Sequence, residues 1–148
     1  MDLIEKSIEY HNEHYKDLDI LKSFETRIRQ VLSDQLNNCY SENYLEKGFP
    51  KELLQEIEDK IIKEKSEEPY QFHINPFELC TINNYKTIIL HNWGNIFEKT
   101  FHSKSELKSN IANINSWRNR ITHFRPVSEP IKLKALGSME YFNKIIGF

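Results

Sequence analysis

Apolar residues recur along most of this chain at intervals of three and four, the period of helices that bury one face. Leu21, Phe24, Ile28, Val31, Leu32 and Leu36 form the first clear stripe, and Asp17 has the side chain to cap its start. An earlier amphipathic piece, with Leu3, Ile4 and Ile8 and then His11 and Tyr15 on the same run, can be continuous with it. Asn37 and Asn38, and the segment on to Gly48, read as a loop. Pro50 suits the first position of a helix carrying Leu53, Leu54, Ile57 and Ile61, which KSEEP ends. YQFHINPFELC, with prolines before and inside it, reads as irregular or as a short extended piece.

Tyr85, Ile88, Ile89, Trp93, Ile96 and Phe97 mark a further helix. Ser103-Lys-Ser-Glu106 has the form of a capping box, so another helix is predicted from about Lys104. Pro126 disfavours helical geometry in the residue before it and sets that helix's end near Arg125. Ser128-Glu-Pro130 opens a last helix with Leu133, Leu136, Met139, Phe142, Ile145 and Ile146. The chain shows no repeat, low-complexity tract or linker. The expected fold is all-α: one domain over residues 1–148, an antiparallel bundle of about five helices.

Composition agrees with helices, since 28% of residues are charged and only 4 are glycine. Charge adds an asymmetry that the net value of −2 conceals. Residues 1–68 carry a net −7, whereas residues 69–148 carry +5. From Lys99 to Lys134 eight basic residues face only Glu106 and Glu129, a strip suited to phosphate contacts. Cys39 and Cys80 have no metal-site or disulfide-framework spacing and fit a reducing compartment. The start MDLIEKSIEYH lacks the pattern of a secretory signal, and no apolar run approaches a membrane span. A cytoplasmic chain without membrane contact is expected.

The candidate chemistry lies in SWRNRITHFRP. On a helical wheel of about 100° per residue, Leu107, Ile111, Ile114, Trp117, Ile121 and Phe124 fall within about 140° of arc. Arg118 falls inside that stripe, about 20° from Leu107. An arginine there must find a carboxylate, snorkel out, or face a second subunit or ligand. If Arg118 is a buried structural residue, Glu98 of the preceding helix is the expected carboxylate partner. Asn119, Thr122 and His123 follow on the flank, with Asn119 and His123 an i,i+4 pair.

Arg118-Asn119-Arg120-Ile121-Thr122-His123 resembles the R-x(4–6)-H signature of the HEPN superfamily (higher eukaryotes and prokaryotes nucleotide-binding) in its RN…H form. The preceding NNYKTIILHNWGNIFEKTF and the early SFETRIRQVL are similar to helices of HEPN domains in RNA-surveillance endonucleases and bacterial defence proteins. The resemblance covers roughly residues 17–146. It implies a bundle that pairs through its signature helices and acts as a metal-independent endoribonuclease, with Arg118 and His123 catalytic and Asn119 supporting them. A toxin or antiviral defence role, with a possible antitoxin or regulatory partner, is implied by the resemblance alone.

The residue types suit that reaction. Histidine can move protons near neutral pH, and arginine offers phosphate a fixed, two-pronged cation. One histidine cannot readily serve as acid and base together, so a homodimer bringing two His123 and two Arg118 to one cleft is expected. Lys104, Lys108, Arg120, Thr122 and Arg125 are the predicted RNA contacts. No cofactor and no metal site are predicted. His11-x-x-His14 reads as a surface pair rather than a zinc site, and Walker and nucleophile-elbow motifs are absent. The alternative is a non-catalytic helical module for dimerisation, RNA binding or protein interaction, in which His123 is idle.

Overall fold

A computed structural model describes residues 2–70 and 73–147 and is all-helical among them. Seven α-helices follow one another: α1 (Leu3–Tyr40), α2 (Tyr44–Gly48), α3 (Lys51–Glu67), α4 (Ile82–His91), α5 (Glu98–Phe101), α6 (Lys104–Thr122) and α7 (Glu129–Ile146). The five with ten or more residues are α1, α3, α4, α6 and α7, close to the number the periodicity predicts. The segment predicted to be irregular contains a 3-10 turn, Pro76–Leu79; positions 71 and 72 of it lie outside the described residues.

The first helix is longer than expected. Leu3 to Tyr40 form one rod, about 57 Å long at the standard rise. Asp17 therefore does not cap it; it lies mid-helix, where its carboxylate meets the Lys132 ammonium of α7 at 2.9 Å. The cap is Asp2, whose carboxylate accepts from the Glu5 N–H while Glu5 accepts from the Asp2 N–H. At the other end, Asn37 and Asn38 are helical rather than looped, and Asn37 bonds back to the Ser33 carbonyl. A 3-10 turn (Ser41–Asn43) and α2 occupy the remainder of the expected loop. No residue from Leu3 to Glu13 is buried, so the first three turns of α1 stand clear of the core with Leu3, Ile4 and Ile8 exposed.

Leu21, Phe24, Ile28, Leu32 and Leu36 of α1 join Leu107, Ile111, Ile114, Trp117 and Ile121 of α6 in one buried cluster. Met139 and Phe142 of α7 complete this side, with Phe142 edge-on to Phe24 at 5.4 Å; Leu133, predicted for the stripe, faces solvent. The pairings Asp17–Lys132 and Phe24–Phe142 show α7 running parallel to α1, while α6 runs antiparallel to both. Leu53 and Ile57 of α3, after Pro50 at the cap position, close the other side with Phe49 and Phe77.

The predicted helix through Tyr85 and Phe97 is not continuous. After α4 the chain takes a π turn, Trp93–Phe97, in which both Ile96 and Phe97 N–H groups bond to the Asn92 carbonyl. Buried Asn92 holds this junction through its side chain. Its amide donates to the Gly48 and Ile88 carbonyls, and its oxygen accepts from the Tyr40 hydroxyl at 2.7 Å. Gly48 must approach closely there, since a Cβ would lie 2.8 Å from Leu36 Cδ1.

Candidate functional site

The apolar stripe of α6 fixes the rotation of the helix that carries the signature. Ser103 starts this helix by accepting from the Glu106 N–H, and Leu107 through Ile121 anchor it in the core. Arg118 then has to meet α1, and it does so at Glu25 rather than at Glu98. Its Nε donates to Glu25 Oε1 at 3.0 Å, with the side chains 28% and 16% exposed. Glu25 lies 3.9 Å from Arg29, whose Nε donates to the Tyr85 hydroxyl at 2.8 Å. Tyr85 in turn donates to the Phe77 carbonyl. A polar seam thus crosses the bundle from α6 through α1 to α4.

Burial pushes the Tyr85 hydroxyl up to about 12, partly offset by Arg29. Burial likewise pushes the Cys80 thiol up to about 12. Neither is poised to lose a proton near neutrality. Only the guanidinium Nε of Arg118 is engaged; among the described residues its two terminal nitrogens have no hydrogen-bond partner. Glu25 therefore orients the fork while leaving its outer edge available.

The signature helix ends three residues before the predicted Arg125. Thr122 is its last residue, and His123 is the C-cap, its N–H bonded to the Asn119 and Ile121 carbonyls. Phe124 takes a left-handed conformation, φ 54°, and its N–H reaches the Ile121 carbonyl. Arg125 N–H reaches Arg120 O at 2.8 Å, which closes a Schellman motif with phenylalanine where glycine is usual. Phe124, predicted for the core stripe, is consequently 66% exposed. Its ring stacks on His14 of α1 at 4.5 Å. His14 is buried, not the surface residue expected, while His11 is exposed.

The predicted site residues divide. His123, Asn119 and Arg125 are exposed around the end of α6. Arg118 leaves the helix about 140° round from His123, so the two side chains diverge within one protomer. Arg120 turns away, about 100° from Asn119, and donates to the Pro126 carbonyl at 3.0 Å, bracing the turn. The Thr122 hydroxyl is bonded back to the Arg118 carbonyl. Lys104 and Lys108 share the exposed face with Asn119 and Thr122, within about 60° of arc, but Lys104 lies about 27 Å from Thr122 along the axis. Lys104 Nζ also sits 5.7 Å from the Trp93 ring.

A cavity of about 150 Å³ opens beside this turn, lined by Tyr10, His14, Asp17, Arg125 and Lys132 among others. The neighbouring Asp17 carboxylate raises the affinity of the Lys132 ammonium for its proton. A larger open groove, about 540 Å³, lies between α1 and α7 beside Phe24 and Met139 and contains no signature residue. Among the described residues there is no group of three or more His, Cys, Asp or Glu placed to hold a metal, and no helix long and apolar enough to cross a membrane.

Sequence reasoning missed Glu25, His14 and Phe124. Glu25 had a legible signal, since it interrupts the apolar stripe of α1 between Phe24 and Ile28 as Arg118 interrupts that of α6. The other two depend on where α6 stops. No protein-family model matches the chain, and neither a curated protein nor a solved structure matches it.

Proposed function

We propose that this chain is a metal-independent endoribonuclease of HEPN type, a toxin or defence effector active as a homodimer through α6. The observation that carries this reading is the end of α6. An exposed histidine and Arg125 stand together on a braced turn, one and a half turns from an arginine whose fork is oriented by a carboxylate. Because Arg118 and His123 diverge in one protomer, a two-fold pair is needed to face one copy's fork toward the other's imidazole.

In the proposed reaction an imidazole accepts the 2′-hydroxyl proton, and the 2′-oxygen forms a bond to phosphorus. The P–O5′ bond breaks, and a second imidazole delivers a proton to the leaving oxygen. Arg118 balances the phosphate charge that grows between these events. The products are a 2′,3′-cyclic phosphate and a 5′-hydroxyl.

The Glu25 pairing also favours one rival. It satisfies Arg118 as a structural contact, as a non-catalytic dimerisation or interaction module requires. Incubation with RNA in EDTA separates the two readings. Cleavage with cyclic-phosphate and 5′-hydroxyl ends is expected; cleavage only on addition of Mg²⁺ or Mn²⁺ overturns the mechanism.

A further inference from the structure

We infer that Phe124 is a stacking platform for a nucleobase of single-stranded RNA, holding the adjoining phosphate toward His123 and Arg125. This rests on the RNA-cleaving reading above and adds to it a contact with a base.

The first support is conformational. Phe124 adopts φ 54°, a region that bulky L residues rarely enter and that a glycine or asparagine would occupy at less cost. Nothing in the turn requires an aromatic ring for its hydrogen bonds, which are all backbone or come from elsewhere. Ile121 O and Arg120 O accept the backbone N–H groups, Arg120 braces Pro126, and the Tyr10 hydroxyl reaches the Phe124 carbonyl at 3.5 Å. Strain held this firmly, next to residues read as catalytic, points to a use for the side chain that is strained.

The second support is the ring's setting. Tyr10 and His14 lie nearly parallel, 17° apart with centroids at 6.4 Å, and His14 and Phe124 follow at 27° and 4.5 Å. Three rings therefore form a stack that begins on α1 and ends at the α6–α7 turn. The middle ring, His14, is buried; Tyr10 at one end is 48% exposed, and Phe124 at the other is 66% exposed and is the end that adjoins His123 and Arg125 in the chain. A planar base extends such a stack by one member, because every base has a π-face. The exposed Arg125 guanidinium follows Phe124 directly in the chain, and a cation beside an aromatic ring is how sequence-tolerant single-strand sites are built.

The test uses a His123→Ala background, in which RNA binds without being cut. Affinity is measured for a short mixed-sequence oligoribonucleotide and for an abasic strand of equal length. Phe124→Asn, which suits the left-handed backbone, is expected to weaken binding of the base-bearing strand by on the order of tenfold or more. The abasic strand should bind both proteins alike. Phe124→Trp should keep the affinity, and its fluorescence should be quenched by RNA. Equal affinity of Phe124→Asn for the base-bearing strand overturns the inference, as does an equal loss on both strands. A shift from dimer to monomer on sedimentation of Phe124→Asn also overturns it, by making Phe124 a protein contact. Absence of any RNA binding by the parent removes the endoribonuclease reading itself, whereas RNA binding by the parent with no base-dependent loss in Phe124→Asn removes only the stacking role.

Discussion

Arg118 and His123 lie five residues apart on one helix end, yet the bundle treats them in opposite ways. Arg118 is set into the seam with α1 and fixed there by Glu25. His123 caps the helix through its backbone, and among the described residues its imidazole makes no hydrogen bond. The contrast shows what each position costs to change. At Arg118 charge, fold and any phosphate contact are bound together, because its removal leaves Glu25 facing the core edge with a weaker partner. At His123 the side chain can be removed while the cap remains.

The largest effect should therefore come with the least structural disturbance. His123→Ala is expected to lower RNA cleavage by roughly a hundredfold or more, while urea unfolding changes by less than about 0.5 kcal/mol. Full activity in a folded, dimeric variant would leave the interaction-module reading standing.

On the Arg118 side, effects should be mixed. Arg118→Lys keeps the charge and loses the planar fork, so cleavage should fall about tenfold or more while sedimentation is unchanged. Glu25→Gln removes the charge that orients the fork. It should cost about 1–2 kcal/mol in unfolding, since the pair is partly exposed, and should lower cleavage as well. If Glu25→Gln unfolds more easily but cleaves at the parental rate, the carboxylate is structural only.

A smaller effect is expected from the far end of the helix. Lys104→Glu with Lys108→Glu should weaken RNA binding and reduce its salt dependence by the equivalent of about two phosphate contacts at most. Unchanged affinity and slope would mark this face as solvated surface.

A further expectation concerns alkaline pH and tests whether the interior around Tyr85 and Cys80 is sealed. Tyr85 and Cys80 hold their protons to about 12 in the folded chain, against ordinary values of 10.0 and 9.0. The unfolded chain releases these protons first, so the contribution is intact below about pH 9 and is lost as pH rises toward 12. Chemical denaturation from pH 8 to 11 should show falling stability. A maleimide at pH 8 should label exposed Cys39 and reach Cys80 only on unfolding.

Much of the fold was readable because the long stripes are regular. Leu107 to Ile121 are buried as their spacing predicts, and Arg118 announces itself as an exception to that spacing. What the sequence concealed lies where local signals compete with distant partners. Asp17 has the side chain of a cap, but a lysine 115 residues further on gives it a reason to sit mid-helix. Phe124 continues the period of α6 after α6 itself has stopped, because backbone closure at the Schellman turn takes precedence over the apolar pattern. Glu25 could be suspected from its own stripe, but its pairing with Arg118 rather than Glu98 depends on how α1 and α6 are arranged in space.

The uneven burial along α1 also sets how quickly its parts open. Between Leu3 and Glu13 the helix is held by its own hydrogen bonds and the Asp2–Glu5 cap, apart from the 3.5 Å reach of the Tyr10 hydroxyl to the Phe124 carbonyl, whereas from His14 onward it is fastened to α6 and α7. A packed segment exchanges its amide protons only when the surrounding structure opens, but a helix of three turns in water frays by itself. In deuterium the two parts of this single rod should exchange on separate timescales, with the boundary near His14 and the slower part following the stability of the whole bundle.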